Sequence, residues 1–362
     1  MKKITVAMFL LLTGESALAQ SSLNIWGTVD IGYRWSGHNV DSHVGSRSAI
    51  DSGTHMPSRI AFQGTEDLGG GWKAGFVLES ALNLDTGTQA GGSLFSRQSF
   101  LSLGGGFGQL AWGRQYTPGY LLTSSIDPFG DVTIGHYNNV YLTEFRWDNQ
   151  LSYTTPNFNG FSLSAAYTLN GYGQESNENR SKTGDIRAYS IVPRYQHGPF
   201  LIGAHYQELK RRSTGDGDGD KIRVYDLGAT YDFGWAKVAA LYGARQTSAT
   251  DFSPDTGWNA GKSSKQWLVG ATIPVSANDK VLISCVHRKT RVSDGGNDAK
   301  SWQGALGYEH FLSRRTRIYV TLSLLGNSSE AKDSGLVSSV GAGYNAGSGY
   351  QRGVALGIRH DF

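Results

Sequence analysis

Leu23-Asn24-Ile25-Trp26-Gly27-Thr28-Val29-Asp30-Ile31-Gly32-Tyr33-Arg34-Trp35 decides the fold class. Leu23, Ile25, Val29, Ile31, Tyr33 and Trp35 fall on one parity, and Asn24, Thr28, Asp30 and Arg34 on the other. Successive side chains of a strand point to opposite faces, so this stretch is one long strand with an apolar face and a polar face. The alternation recurs at Trp72, Ala74, Phe76 and Leu78 against Lys73, Gly75, Val77 and Glu79. It recurs again at Phe161, Leu163, Ala165 and Tyr167 against Ser162, Ser164, Ala166 and Thr168. The polar faces hold Arg, Asp, Gln, Ser and Gly, which suits a watery lumen better than the packed core of a soluble β-sandwich. Tyr33, Trp35, Tyr153, Tyr167, Tyr231 and Tyr308 recur near strand ends, where amphipathic rings meet a membrane interface.

The connections alternate in length. Tight ones lie at 69–71, 104–108, 156–160, 196–199, 232–234, 275–279 and 311–315. Long polar ones lie at 36–57, 81–94, 115–145, 170–184, 208–220, 246–264, 289–299 and 325–348. Seven turns and eight loops require sixteen strands. Spread over the chain, that leaves about 21 residues per strand and connection, enough for tilted strands of about 10 residues that cross a bilayer. The expected fold is all-β: a 16-stranded antiparallel transmembrane β-barrel with short turns at one end and long external loops at the other. Helical periodicity is confined to 117–145.

The N-terminus is a separate unit. Lys2 and Lys3 precede an apolar run from Ile4 to Leu12, and Ala17-Leu18-Ala19 is a small-residue cleavage site. Residues 1–19 therefore read as a signal peptide cleaved before Gln20, with residues 20–362 forming the barrel. The apolar run is too short to span a bilayer as a helix.

Composition narrows the function. The 362 residues carry 33 Lys+Arg against 30 Asp+Glu, a net charge of +3. That balance excludes a dedicated nucleic-acid binder. Glycine occurs 49 times, roughly twice its usual share. A single cysteine excludes an intrachain disulfide framework. Cys285 shares its parity with Val281 and Ile283, so it reads as a lipid-facing residue rather than a nucleophile. The nine histidines are scattered, His205 and His287 among them, and neither a Gly-x-Ser-x-Gly elbow nor a His-Glu-x-x-His motif occurs. Asp216-Gly217-Asp218-Gly219-Asp220 lacks the distal glutamate of a calcium loop and reads as a solvated external loop. The glycine triplets at 69–71 and 104–106 lie between strands, not at the start of a helix, and are not phosphate cradles. No cofactor, metal or catalytic residue is expected.

Four motifs carry a family resemblance. They are Ser58-Arg59-Ile60-Ala61-Phe62-Gln63-Gly64-Thr65-Glu66-Asp67-Leu68-Gly69-Gly70-Gly71, Ser96-Arg97-Gln98-Ser99-Phe100, Gly113-Arg114-Gln115-Tyr116 and the terminal Gly357-Ile358-Arg359-His360-Asp361-Phe362. Over its whole mature length the chain resembles the general porins of Gram-negative outer membranes, beta-proteobacterial type. The resemblance implies passive diffusion of small hydrophilic solutes and ions through a homotrimer of barrels, each narrowed by an inward-folded third loop, here residues 115–145. It implies a ladder of arginines, Arg59, Arg97 and Arg146, facing acidic groups on that loop, for which Asp127, Asp131 and Glu144 are the candidates. Pro128, Phe129 and Gly130 match the family's loop motif, whose glutamate is missing here.

Parity adds two expectations. Arg59 shares a face with Ala61 and Gln63, and Arg146 shares one with Asp148, Gln150 and Ser152, opposite Trp147. Both arginines are expected to point into the lumen. The trimer contact is expected within 58–115, where Gly64, Gln98 and Ser102 interrupt the outward face. There an outward Arg114 would meet a neighbouring subunit, and the resemblance, to a family whose second loop latches over the adjacent barrel, implies Asp85 as an acidic partner. The resemblance further implies Phe362 as the signal to the barrel-assembly machinery, and outer-membrane lipid and lipopolysaccharide as surroundings. Weak anion preference is expected. A substrate-specific channel of the same fold and a surface adhesin barrel are the alternatives.

Overall fold

In the computed structural model the described residues are 21–130, 134–173, 185–211, 221–247, 263–292, 297–341 and 349–362. The signal stretch 1–19, Asp131 and the 216–220 loop lie outside them. The strands are β1 (Ser22–Asn39), β2 (Arg47–Ser52), β3 (Arg59–Gly69), β4 (Trp72–Asn83), β5 (Thr88–Ala90), β6 (Gln98–Gly105), β7 (Gly108–Tyr116), β8 (Arg146–Thr154) and β9 (Phe161–Thr168). They continue with β10 (Ile186–His197), β11 (Phe200–Arg211), β12 (Lys221–Asp232), β13 (Lys237–Thr247), β14 (Ser264–Pro274), β15 (Asp279–Thr290), β16 (Ala299–Phe311), β17 (Thr316–Asn327) and β18 (Tyr350–Asp361).

Consecutive strands pair antiparallel. β1 pairs with β18 on one side, from Thr28 opposite Asp361 to Asn39 opposite Tyr350, and with β2 and β3 on the other, so the sheet closes. β2 and β3 are two pieces of one position beside β1, and β5 and β6 are two pieces of one position beside β4. The ring is therefore a closed 16-strand antiparallel β-barrel. All seven tight connections fall between strands where the sequence places them. Closure leaves no free strand edge, which is what lets a sheet cross hydrocarbon.

Burial is inverted relative to a soluble protein. In β16, Trp302, Leu306 and Tyr308 point outward and are exposed, while Ser301 and Gln303 point inward and are buried. Rings cluster at the barrel's rims, as in the row Tyr189, Tyr206 and Tyr225, with centroids 5.8 and 5.1 Å apart. No helix among the described residues is long and apolar enough to cross a membrane.

The register breaks once in the first half in a way that matters for the pore. Gly113 faces Gln150 and Gln115 faces Trp147, so β8 carries one extra residue, Asn149, at φ 49°. A bulge inverts parity beyond it. Trp147 accordingly turns inward and is fully buried, in one apolar cluster with Ala166, Ala188, Leu209 and Val224, contrary to the alternation expected from Arg146 onward. Asp148 turns away from the lumen instead.

Candidate functional site: the narrowed lumen

Residues 117–130 and 134–145 leave the wall after β7 and cross the lumen. Thr117 starts helix α1 (Pro118–Ile126) by accepting the amide of Tyr120 at 3.1 Å, and Pro118 fits the first turn because its missing N–H would have had no partner there. Beyond α1 the chain runs along the inner wall of β10–β16. Leu122 covers Gly203, Ile126 covers Gly228, Pro128 covers Gly270, and Phe129 covers Gly307. A side chain at Gly270 would put its Cβ 2.7 Å from Pro128 Cγ, so these inward glycines form a seat that only bare backbone provides. Phe129 is buried with Leu282 and Ala305, and Gly130 adopts φ 54°. The Pro128-Phe129-Gly130 motif is thus the loop's anchor to the far wall. Tyr141 donates to Asp226 at 2.5 Å while His205 bonds the other oxygen at 2.7 Å, pinning the loop's return.

The arginines gather on the opposite wall. Arg97 and Arg59 both meet Oε1 of Glu79, at 2.7 and 3.5 Å. Gln98 donates to the other oxygen at 2.8 Å. Arg146 donates to the Tyr116 hydroxyl at 2.9 Å and lies 4.4 Å from its ring centre. Arg97 donates to the same hydroxyl. Glu79 is therefore the carboxylate that organises this wall, and no motif in the sequence singles it out. Its inward parity was visible, opposite Leu78 and Phe76, but nothing in the alternation says which strand faces Arg97. Arg97 itself precedes β6 by one residue, so it curls back to Glu79 instead of following strand parity.

The expected acids of the loop behave differently. The Asp127 carboxylate accepts the amides of Phe129 and Tyr137, at 3.2 and 3.0 Å, and so closes the turn after α1. Glu144 is buried, accepts the Tyr172 hydroxyl, and is pushed up to about 7 chiefly by that burial. Both are structural acids of the loop. Asp131 lies outside the described residues.

Two further expectations change. Gln98 points into the lumen toward Glu79, and Ser102 shares its parity within β6, so neither interrupts the outward face. Arg114 points outward as expected, but it finds its partners within the chain: Asp148, freed by the Asn149 bulge, and the carbonyl of Ser96 at 2.7 Å. Asp85 is exposed in the connection after β4. Phe362 closes the ring: its amide and carbonyl pair with Gly27 at 3.1 and 3.2 Å.

The described part of the last long connection, to residue 341, also folds inward, which the sequence did not signal. After the short helix α2 (Ser329–Asp333), Leu336 and Val340 are buried. Arg288 donates to the carbonyls of Val140 and Leu336, at 3.1 and 2.9 Å, clamping the two inward segments together. Arg34 reaches the carbonyl of Val340 at 3.1 Å, and Asn139 accepts the amide of Gly341 at 2.9 Å.

A closed barrel narrowed from within, with guanidiniums on one wall, is a channel architecture, and comparison with known proteins agrees. The family model for Gram-negative porins matches residues 5–332. The chain is 32% identical to outer membrane porin protein 32 of Delftia acidovorans, over all of both chains. It is 29% identical to an outer membrane porin of Bordetella pertussis, again over all of both. Among solved structures it resembles an anion-selective porin from Comamonas acidovorans, with a TM-score of 0.76 at 28% identity, covering 95% of this chain and 100% of that one. These matches, the closed barrel and the inward loop together place the chain in the Gram-negative porin family, as an outer-membrane protein.

Proposed function

We propose that this porin passes small hydrophilic solutes with a preference for anions, works as a homotrimer, and is exported by cleavage after Ala19. The observation that carries the selectivity is the gathering of Arg59 and Arg97 at Glu79, with Arg146 joined to Arg97 through the Tyr116 hydroxyl, while Asp127 and Glu144 are engaged inside the loop. Excess positive charge beside a narrow aqueous path lowers the electrostatic barrier to anions and raises it to cations. The anion-selective relative supports this sign. The trimer and Phe362 as the assembly signal rest on membership of the family, and transport needs no catalytic group. Arg114 contributes to a subunit contact only if the Arg114–Asp148 pair as a whole lies at it, because the guanidinium already has an acidic partner.

Planar-bilayer recording of the purified mature protein tests this. Ohmic steps arriving in groups of three are expected, with chloride more permeant than potassium. Single unrelated steps would remove the trimer, and no steps at all would remove the channel.

A further inference from the structure

The outward face of β14–β16 carries a feature that solute passage does not use. Lys265 stands directly opposite Lys289, and Lys289 directly opposite Lys300. Two residues further toward the barrel's middle, Trp267, His287 and Trp302 form the next row, with Trp267 and His287 stacked at 5.6 Å. The lysines alternate with buried, inward residues (Ser264 and Gln266, Arg288 and Thr290, Ala299 and Ser301), so they face away from the lumen. Directly opposed side chains on one face of a sheet have Cβ atoms about 5 Å apart, and like charges so placed repel. Among the described residues one carboxylate meets the row: Asp298, 2.6 Å from Lys289. The neighbouring rim is balanced differently, with Arg223 paired to Glu208 at 2.8 Å.

We propose that Lys265, Lys289 and Lys300 form a binding site for the phosphate groups of an outer-leaflet lipid headgroup. The aromatic row beneath marks the boundary between hydrocarbon and headgroups. Lysine stems rising from it carry their ammonium groups to the level where lipid phosphates lie. A phosphate oxygen bridging two ammoniums makes charge-assisted hydrogen bonds and cancels the repulsion that the register imposes. The row lies at the end of the barrel with long connections, which faces outward in barrels of this kind. The inference rests on the outer-membrane placement of the barrel and is independent of which ions the pore prefers.

The test uses the whole protein in phosphatidylcholine nanodiscs, titrated with diphosphorylated lipid A or with enzymatically dephosphorylated lipid A. Bound lipid is counted by native mass spectrometry. The wild type should hold the phosphorylated lipid at least ten-fold more tightly. Lys265→Gln with Lys300→Gln should lose most of that difference, while single-channel conductance stays unchanged and reports an intact barrel. If the double variant gives no channels, each single variant carries the test, with a partial loss expected. Equal binding of the two lipids by the wild type, or full retention by conducting variants, would overturn the site. Displacement of the lipid by low-millimolar inorganic phosphate would assign the row to a soluble anion and overturn the lipid assignment.

Discussion

Glu79 holds the basic wall together. Its oxygens take Arg97, Arg59 and Gln98, and it is buried. Removing one partner of a buried ion pair leaves the others uncompensated, at a cost of about 3–5 kcal/mol. Glu79→Gln is therefore expected to destabilise the barrel by that order in heat or urea unfolding. In surviving channels it should raise anion preference, because a negative charge has left the wall. Glu144 yields a pH prediction. Burial raises its folded-state value to about 7 from an ordinary 4.5, so the folded chain holds this proton more tightly than the unfolded one. Docking of the loop's return is then strongest below about pH 4.5 and weakens as pH rises toward 7. Hydrogen exchange of the amides at 141–145 should be slower at pH 5.5 than at pH 8 after correction for intrinsic rates, and Glu144→Gln should flatten the difference. The arginines were legible from motif, and Arg59 also from parity. Parity did not place Arg146, because the Asn149 bulge inverts the faces before it, and Glu79 was hidden because a partner across two strands depends on a register that alternation alone does not fix.

At the scale of elements, the inward loop is held by what the wall lacks. Gly203, Gly228, Gly270 and Gly307 present bare backbone under Leu122, Ile126, Pro128 and Phe129. Gly270→Leu should push Pro128 off the wall while the strand pairs normally with its neighbours. Single-channel conductance is expected to rise severalfold and far-UV circular dichroism to stay unchanged; unchanged conductance would mean that the loop is not seated there. The turns, the loops and the sixteen positions could be read from the sequence because period-two alternation and glycine-rich turns are local signals. The Asn149 bulge could not, since one inserted residue leaves no mark in composition. It reverses the faces of Trp147 and Asp148, and it supplies Arg114 with its intrachain partner. The inward path of 334–341 was equally hidden, because its docking depends on Arg34 and Arg288, which come from distant strands.

For the whole molecule, the path through the barrel lies between two unlike surfaces. One is the loop, whose described acids Asp127 and Glu144 are tied into its own folding. The other is the wall, where the Arg59 and Arg97 guanidiniums share the Glu79 carboxylate and that of Arg146 joins them through the Tyr116 hydroxyl. The net charge of +3 contributes little to selectivity, because exposed charges are screened beyond about 8–10 Å at physiological salt. In the function proposed here, the local excess at the narrowing decides it. Reversal potential in a tenfold potassium chloride gradient, for wild type and for Arg59→Ser with Arg97→Ser, tests this most directly. The wild type is expected to favour chloride, and the double variant to shift toward potassium with a larger conductance. A cation-selective wild type, or a reversal potential that the two substitutions leave unchanged, would contradict an arginine wall as the selecting element.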